Sequence, residues 1–406
     1  MKSIRNKLSL ATCSLLTTGN ASAEAIENAW ATDASYLYYS EEDRVTVNKL
    51  VGSAKGYVST KDTASIKVVF DAMSGATPTG AVKASTPSFT GASGGTGIDP
   101  SGESAALAKF DDTRVGVALD WQHEHTRTLS VNYNGAFSVE NDWRSFSLAA
   151  TANKENSSRS TKWTLGLAGT YDQIFRVNGN NTPEPLTRVA DGRFLGEGER
   201  FTTDIVAGVT KVINRRTVAQ LNFSYGISNG YMTDPYKVFS VVDSTGVEWD
   251  QYFEGRPESR NRWSITAKLN HMTFPSNNGI HLTYRYYSDD WDIKSHTLDY
   301  AHRFTFKNAD YLEPRVRLYT QSKAEFYQNS FFSPNDGTSP NLPEFLSADY
   351  RLDDMSSATA GMTYGVRFGS DAELRTRLEY LHQTFENSEF DTNKAIIFNI
   401  SYGKRF

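Results

Sequence analysis

Ala395-Ile396-Ile397-Phe398-Asn399-Ile400-Ser401-Tyr402-Gly403-Lys404-Arg405-Phe406 closes the chain, and its residues alternate. Ile396, Phe398, Ile400, Tyr402, Lys404 and Phe406 form one set, apolar and aromatic apart from Lys404. Ala395, Ile397, Asn399, Ser401, Gly403 and Arg405 form the other, mostly small or polar. A period of two is a β-strand whose faces meet different surroundings. An amphipathic edge strand of a soluble sheet would read the same way, so the other end of the chain has to be read with it.

That end is built as a secretory signal. Lys2, Arg5 and Lys7 precede a short apolar stretch from Leu8 to Leu16, and Ala21-Ser22-Ala23 is a small-residue cleavage site. Residues 1–23 are therefore expected to be removed, leaving 24–406 as a single domain in the envelope after export by the Sec pathway. The apolar stretch is too short to span a bilayer. Cys13, the one cysteine, lies inside it. Leu10-Ala11-Thr12-Cys13 departs from a lipoprotein box at the bulky Thr12, so no lipid anchor is expected there. The processed chain has no thiol or disulfide chemistry.

Composition narrows the class. Aromatic residues make up 13% of the chain, yet no run of 18 apolar residues occurs, which excludes helical membrane spans. Removing Lys2, Arg5 and Lys7 from 42 Lys+Arg leaves 39 against 47 Asp+Glu, a charge of −8 that disfavours nucleic acid as a partner, and none is expected. A hydrophilic average built from alternating strands is what a barrel in lipid requires: half of each strand faces lipid and half faces the lumen.

The alternation recurs along the chain. It is clear at 115–121, 129–133, 163–171, 221–227, 263–269, 280–286, 298–306, 312–318, 362–368 and 374–380, and weaker near 34–41, 44–58, 63–73, 141–153 and 199–213. With the closing strand this predicts an all-β, transmembrane antiparallel barrel of about 16 strands, within a range of 14–18. Connection lengths test the count. Ser59–Asp62, His123–Arg127, Asn214–Arg216, Pro275–Asn278, Lys307–Asp310 and Gly369–Asp371 read as tight turns, and 74–111, 175–198, 230–258 and 330–352 as long loops. Counted back from a periplasmic C-terminus, every tight turn is periplasmic and every long loop extracellular. Asn153 to Ser160 is the one longer periplasmic link. Tyr36, Tyr38, Tyr39, Trp121, Trp143, Trp163 and Trp263 fall near strand ends, as interfacial girdles do.

The inward register carries charge. Strand 311–329 turns Glu313, Arg315, Arg317, Lys323 and Glu325 inward, and strand 372–386 turns in Glu373, Arg375, Arg377 and Glu379. Arg285, Asp299, Arg303 and Arg367 point the same way on neighbouring strands. Such a set either selects solutes by charge or braces the wall by pairing. The segment 74–111, rich in Gly, Ser, Thr and Ala with Pro78, Pro87 and Pro100, reads as a mobile surface loop that could also enter the mouth or hold a partner.

Enzyme motifs are absent. His123-x-His125 falls in a predicted turn, and His296 and His302 share the outward register of one strand. Asn335-Asp336-Gly337 reads as an Asx/Gly turn rather than a calcium loop. No cofactor or metal is expected, and too few residues precede the first strand for the plug of a TonB-dependent transporter.

Tyr36-Leu37-Tyr38-Tyr39-Ser40-Glu41, Arg44-Val45-Thr46-Val47 and Val69-Phe70-Asp71-Ala72-Met73-Ser74-Gly75-Ala76-Thr77-Pro78 resemble the N-terminal region of an uncharacterised family of Gram-negative outer-membrane proteins, domain of unknown function 3570. The resemblance covers most of the chain after the signal. Its motifs mark the family and name no active-site residue. Members occur beside a small lipoprotein and beside flavin-attaching or thioredoxin-like proteins, which implies an envelope redox or export system. Phe398, Ile400, Tyr402 and Phe406 resemble the segment that the barrel-assembly machinery reads. The expected function is a porin-like channel for small hydrophilic solutes, surrounded by outer-membrane lipid and lipopolysaccharide. The alternative is a structural or docking barrel for a periplasmic or lipoprotein partner.

Overall fold

A computed structural model of the chain describes residues 30–82, 89–90, 96–97, 106–177, 179, 181–273, 278–306 and 309–406. In chain order its strands are β1 (Trp30–Glu41), β2 (Val45–Tyr57), β3 (Asp62–Pro78), β4 (Phe89–Thr90), β5 (Thr96–Gly97), β6 (Leu107–Thr126), β7 (Leu129–Val139), β8 (Trp143–Glu155), β9 (Thr161–Ile174), β10 (Gly198–Asn214), β11 (Thr217–Gly230), β12 (Val238–Val242), β13 (Glu248–Phe253), β14 (Ser259–Met272), β15 (Gly279–Asp289), β16 (Lys294–Thr305), β17 (Tyr311–Gln321), β18 (Ser330–Phe332), β19 (Met355–Phe368), β20 (Ala372–Phe385) and β21 (Thr392–Arg405). Sixteen of them, all but β4, β5, β12, β13 and β18, close one antiparallel barrel. The ring shuts where β1 meets β21, in unbroken register from Ala31↔Arg405 to Glu41↔Ala395. Each predicted strand is one of the sixteen.

Pairing register explains the alternation. Leu119, Leu148, Leu165, Phe201, Leu221, Val316, Met362, Leu378, Ile396 and Tyr402 all point away from the lumen and stay exposed. In water such a belt would be a large unburied apolar surface, so lipid is the solvent that covers it. His296 and His302 lie on this outer face, as their register implied. Tyr284 Oη lies 2.7 Å from His296 Nδ1, and His302 stacks on Phe304 at 4.2 Å.

The rims differ. Connections 58–61, 127–128, 156–160, 215–216, 273–278, 306–310 and 369–371 are all short and lie on the rim of the C-terminus. The opposite rim carries 79–106, 175–197, 231–258 and 322–354 as well as four short turns. Several boundaries differ from expectation. β8 runs on to Glu155, so the longer link after Asn153 shrinks to 156–160. His123 and His125 end β6 rather than forming a turn. β17 stops at Gln321, so Lys323 and Glu325 leave the inward register. There the Lys323 amide donates to Asp354 Oδ1 (2.9 Å) and the Ala324 amide to the Leu352 carbonyl (2.8 Å), which starts the outer loop. The expected signal (1–23), residues 275–277 and 307–308 of two predicted turns, and most of the loop between Val82 and Ala106 lie outside the described residues.

The long loops fold on one another over the mouth. β12 pairs antiparallel with β13 and parallel with β18, which makes a small sheet from two different loops. Phe239, Val241, Tyr252, Leu346 and Ala348 form one buried cluster there, and Met232, Trp291, Ile293, Ala324, Tyr327 and Leu352 form another. The stem of the third loop joins this cap: the Val238 amide donates to the Thr79 carbonyl (3.0 Å) and the Val82 amide to Ser240 Oγ (3.0 Å).

A protease site inserted at Ser244, between β12 and β13, is expected to be cut on intact cells. The same site at Arg215, between β10 and β11, should be cut only after the outer membrane is opened. The reverse pattern would refute the orientation.

Candidate solute site in the barrel lumen

Of the thirteen inward residues expected from the sequence, all but Lys323 and Glu325 lie on the face opposite the apolar belt. Most are tied in pairs. Arg315 Nε lies 3.1 Å from Asp299 Oδ1, and its Nη1 lies 3.3 Å from Glu379 Oε1. Arg303 pairs with Glu313 at 2.7 Å and covers the Tyr311 ring at 3.9 Å. Arg367 pairs with Glu373 (3.7 Å), Arg377 with Glu379 (3.6 Å), and Arg375 with Asp33 across the closing seam. Arg317 faces Asp299 in register. Arg285 has no carboxylate partner among the described residues; its guanidinium lies 5.2 Å from the Tyr287 ring. Phe398, Ile400 and Tyr402 share the outward face of β21, beside β1, and Phe406 follows the strand directly.

The ladder continues where the sequence reading did not look. Asp71 and Arg114 are register partners on β3 and β6 and form a buried ion pair. Arg200 and Asp172 are register partners on β10 and β9, at 2.6 Å. Arg260 bonds Asp289 (Nε to Oδ2, 2.8 Å), and Arg262 bonds Asp204 at 2.8 Å. A signal existed: charges in the register opposite the apolar residues of the same strands, such as Asp71 between Phe70 and Ala72.

Three of these links span a whole strand; Arg375–Asp33 crosses β21, and at the other two glycine makes room. Gly226 sits in register between Asp204 and Arg262, where a Cβ would fall 2.3 Å from Asp204 Oδ1. Gly361 sits between Arg315 and Glu379, where a Cβ would fall 2.6 Å from Glu379 Cγ and 2.2 Å from the Leu378 carbonyl. Alanine at either place would push a charge pair apart inside a region of reduced dielectric, where pairing matters most.

Under the cap these walls border a polar cavity open to solvent, lined by Arg114, Arg200, Arg260 and Arg262 with Ser138, Ser147, Thr170, Thr202 and Ser228. Met232 and Trp291 form part of its roof. Each of the four arginines is neutralised by its own carboxylate, so the chamber is polar but balanced. A second, smaller cavity lies between Trp143, Ile174 and Arg200 of the rim and Tyr231, Tyr236, Arg256 and Arg351 of the cap.

The cap is held by a buried ion cluster that the sequence did not reveal. Lys237 Nζ donates to the Pro78 carbonyl and lies 3.7 Å from Asp349 Oδ1. Arg256 reaches Glu254 (2.7 Å) and Asp349 (2.8 Å). Arg351 grips Asp349 and lies 2.7 Å from Asp234. Lys237, Glu254 and Asp349 are each at most 1% exposed. Asp349 also accepts from the Arg351 amide and so caps the 3-10 turn Tyr350–Leu352. Burial pushes the Glu254 carboxyl up. For Asp349 burial acts in the same direction, but Arg351, Lys237 and Arg256 outweigh it and hold the group well below the usual carboxylate range.

Carboxylate oxygens of Asp112, Glu140 and Asp142 lie within 4.8 Å of one another at the outer rim. Arg114 lies 3.8 Å from Glu140 and the Asn141 amide donates to Asp112 (3.2 Å), so the protein itself supplies counter-charge there. The Asn335-Asp336-Gly337 stretch is a turn: Asp336 Oδ1 accepts from the Thr338 amide (3.0 Å), and Gly337 has φ 84°.

Known structures of similar shape are themselves barrels. A bacterial polysaccharide outer membrane secretin aligns with TM-score 0.46 and 8% identity, over 94% of this chain and 98% of its own. OccK1 (OpdK) of Pseudomonas aeruginosa aligns with TM-score 0.42 and 9% identity, over 94% and 100%. The siderophore receptor PirA of Acinetobacter baumannii aligns with TM-score 0.43 and 9% identity, over 89% of this chain and 54% of its own. None of the curated proteins matches the chain. A family model described as "Protein of unknown function (DUF3570)" matches residues 5–396.

Proposed function

The chain belongs to the DUF3570 family, and from that premise and the geometry of its lumen we propose a channel. It is a barrel of the Gram-negative outer membrane, exported by the Sec pathway, that passes small hydrophilic solutes. The observation that carries this reading is the solvent-open cavity beneath the cap, walled by hydroxyls and by charges already in balance. Barrels of about eight strands fill their interior with side chains, whereas rings of about sixteen leave room for water. A polar, unfilled chamber exchanges water for a hydrophilic solute at little cost.

A docking barrel for a lipoprotein, or for a partner in redox or export, is the second reading. Its support is Val177, Phe194, Leu195, Val247 and Phe332, which stay exposed on the cap loops. Single-channel recording separates the two. Refolded protein in planar bilayers is expected to give discrete conductance steps in potassium chloride. Heat-modifiable, fully inserted protein that never conducts would overturn the channel and leave the docking role.

A further inference from the structure

The balance of charge in the upper chamber does not extend down the barrel. Lys67 lies two inward positions below Asp71 on β3, and Lys268 lies three below Arg262 on β14. Lys55 is near the lower end of β2, and Arg285 stands on β15. None of the four forms an ion pair among the described residues. Their register partners are uncharged. Lys55 lies between Ala31 and Ser65, and Lys67 between Ser53 and Ala118. Lys268 lies between Gln220 and Thr283, and Arg285 between Thr266 and Thr297.

Two of the three carboxylates nearest in register are already paired elsewhere. Asp33, diagonal to Lys55, is taken by Arg375. Asp299, diagonal to Arg285, is held by Arg315. Asp120, diagonal to Lys67, keeps its charge; it accepts from Ser65 (3.3 Å), Asn132 (3.3 Å) and Asn134 (2.9 Å) and forms no ion pair with Lys67 among the described residues. Against four positive charges this leaves one negative charge, so the belt stays net positive.

Their arrangement is the informative part. In both strand pairs the two basic residues are diagonal neighbours: Lys55↔Ser65 beside Ser53↔Lys67, and Lys268↔Thr283 beside Thr266↔Arg285. In the ring order of 16 strands, β14 stands eight places from β2 and β15 eight places from β3, whichever way the ring is followed. The two basic pairs therefore face each other across the lumen.

We propose that these four residues form an anion-selecting belt below the balanced chamber, and that the solutes passed are small oxyanions bearing carboxylate or phosphate groups. This rests on the channel reading and names its substrate class. Fixed charge of one sign on opposed walls, with low-dielectric strands behind it, raises the local concentration of counter-ions and repels cations. The paired arginines of the upper chamber cannot do this, since their carboxylates cancel their field at the distance of a passing ion.

The test uses the full chain, refolded and inserted in planar bilayers under a potassium chloride gradient. The reversal potential is expected to show chloride preferred over potassium several-fold. In the variant Lys55→Gln/Lys67→Gln/Lys268→Gln/Arg285→Gln the preference should fall to parity or invert. Each wall's double variant should lie between, which keeps the test open if the quadruple variant folds poorly. Lys154→Gln, on the outer face near the same rim, should leave the preference as it is. Cation preference in the wild type, or an unchanged ratio in the variants, would overturn the belt.

A wild type without conductance would remove the channel reading instead. The belt then has its own readout, thermal unfolding in detergent with inorganic phosphate against chloride at equal ionic strength. Phosphate should raise the midpoint of the wild type and not that of the quadruple variant, and equal midpoint shifts in the two would refute anion binding there.

Discussion

Replacing Asp349 with Asn is expected to unseal the outer cap. Asp349 is the shared counter-charge of Lys237, Arg256 and Arg351, and it is about 1% exposed. Removing one member of a buried ion pair costs about 3–5 kcal/mol, because the remaining charges stay desolvated. Local stability of loops is often smaller than that, so the cap should open while the barrel holds. The measurements are faster proteolysis within 231–258 and larger conductance steps. Adding Lys237→Met should recover part of the loss, since one orphaned cation then disappears and the pair behaves non-additively. A cap as resistant as the wild type in the single variant would show that the cluster does not hold it.

The same cluster sets a pH dependence. Asp349 and Asp234 have carboxyls held below their ordinary range in the folded cap, where burial is outweighed by the surrounding Arg351, Lys237 and Arg256. A lowered folded pKa is stability present above the unfolded value, about 4, and lost as pH falls below it. Glu254 works in the opposite sense, since burial raises it and acid relieves its cost. The two aspartates outnumber it, so the cap should loosen below about pH 4.

Changing Phe406 to Asp is expected to remove most of the heat-modifiable barrel from the membrane. The Phe406 amide donates to the Trp30 carbonyl at 2.8 Å, so the last residue completes the seam between the chain's two ends. Its ring is 68% exposed and lies at the rim. A charge on the lipid face costs about 0–1 kcal/mol near the interface and about 2–4 kcal/mol for Arg or Lys at the midplane. The folded barrel should therefore tolerate Phe406→Asp, and refolding in detergent should be nearly normal. Loss in cells with recovery in vitro would place the defect in assembly. Ile400→Lys, nearer mid-membrane on the same face, should fail in both settings. Normal membrane insertion of Phe406→Asp would mean that the closing strand is not the assembly signal.

How much of this was legible varies from element to element. β21 and the other strands were readable because side chains alternate between lipid and lumen, and that contrast needs no knowledge of which strand pairs with which. The rims were readable because short and long connections must alternate in phase around a closed ring. Boundaries were less so: Lys323 and Glu325 continue the alternation of β17 past Gln321, yet backbone bonds to the 352–354 segment have already ended the strand. Of the lumenal residues, the C-terminal arginines were found by register, while Arg114, Arg200, Arg260 and Arg262 passed unnoticed as isolated charges.

The sequence by itself determined a membrane barrel of about sixteen strands, within 14–18, its inside and outside faces, and the inward direction of Arg285 and most of the C-terminal charges. These follow from local periodicity and from a hydrophobic contrast that each strand carries alone. Only the tertiary structure decided which charges cancel. Asp349 meets Lys237 more than a hundred residues away, and Asp33 meets Arg375 across the seam. An ion pair depends on distances of a few ångströms between segments remote in sequence. Lys237 in a loop and Lys67 in a strand read alike as charged residues until the closed ring buries and pairs the first and leaves the second facing water.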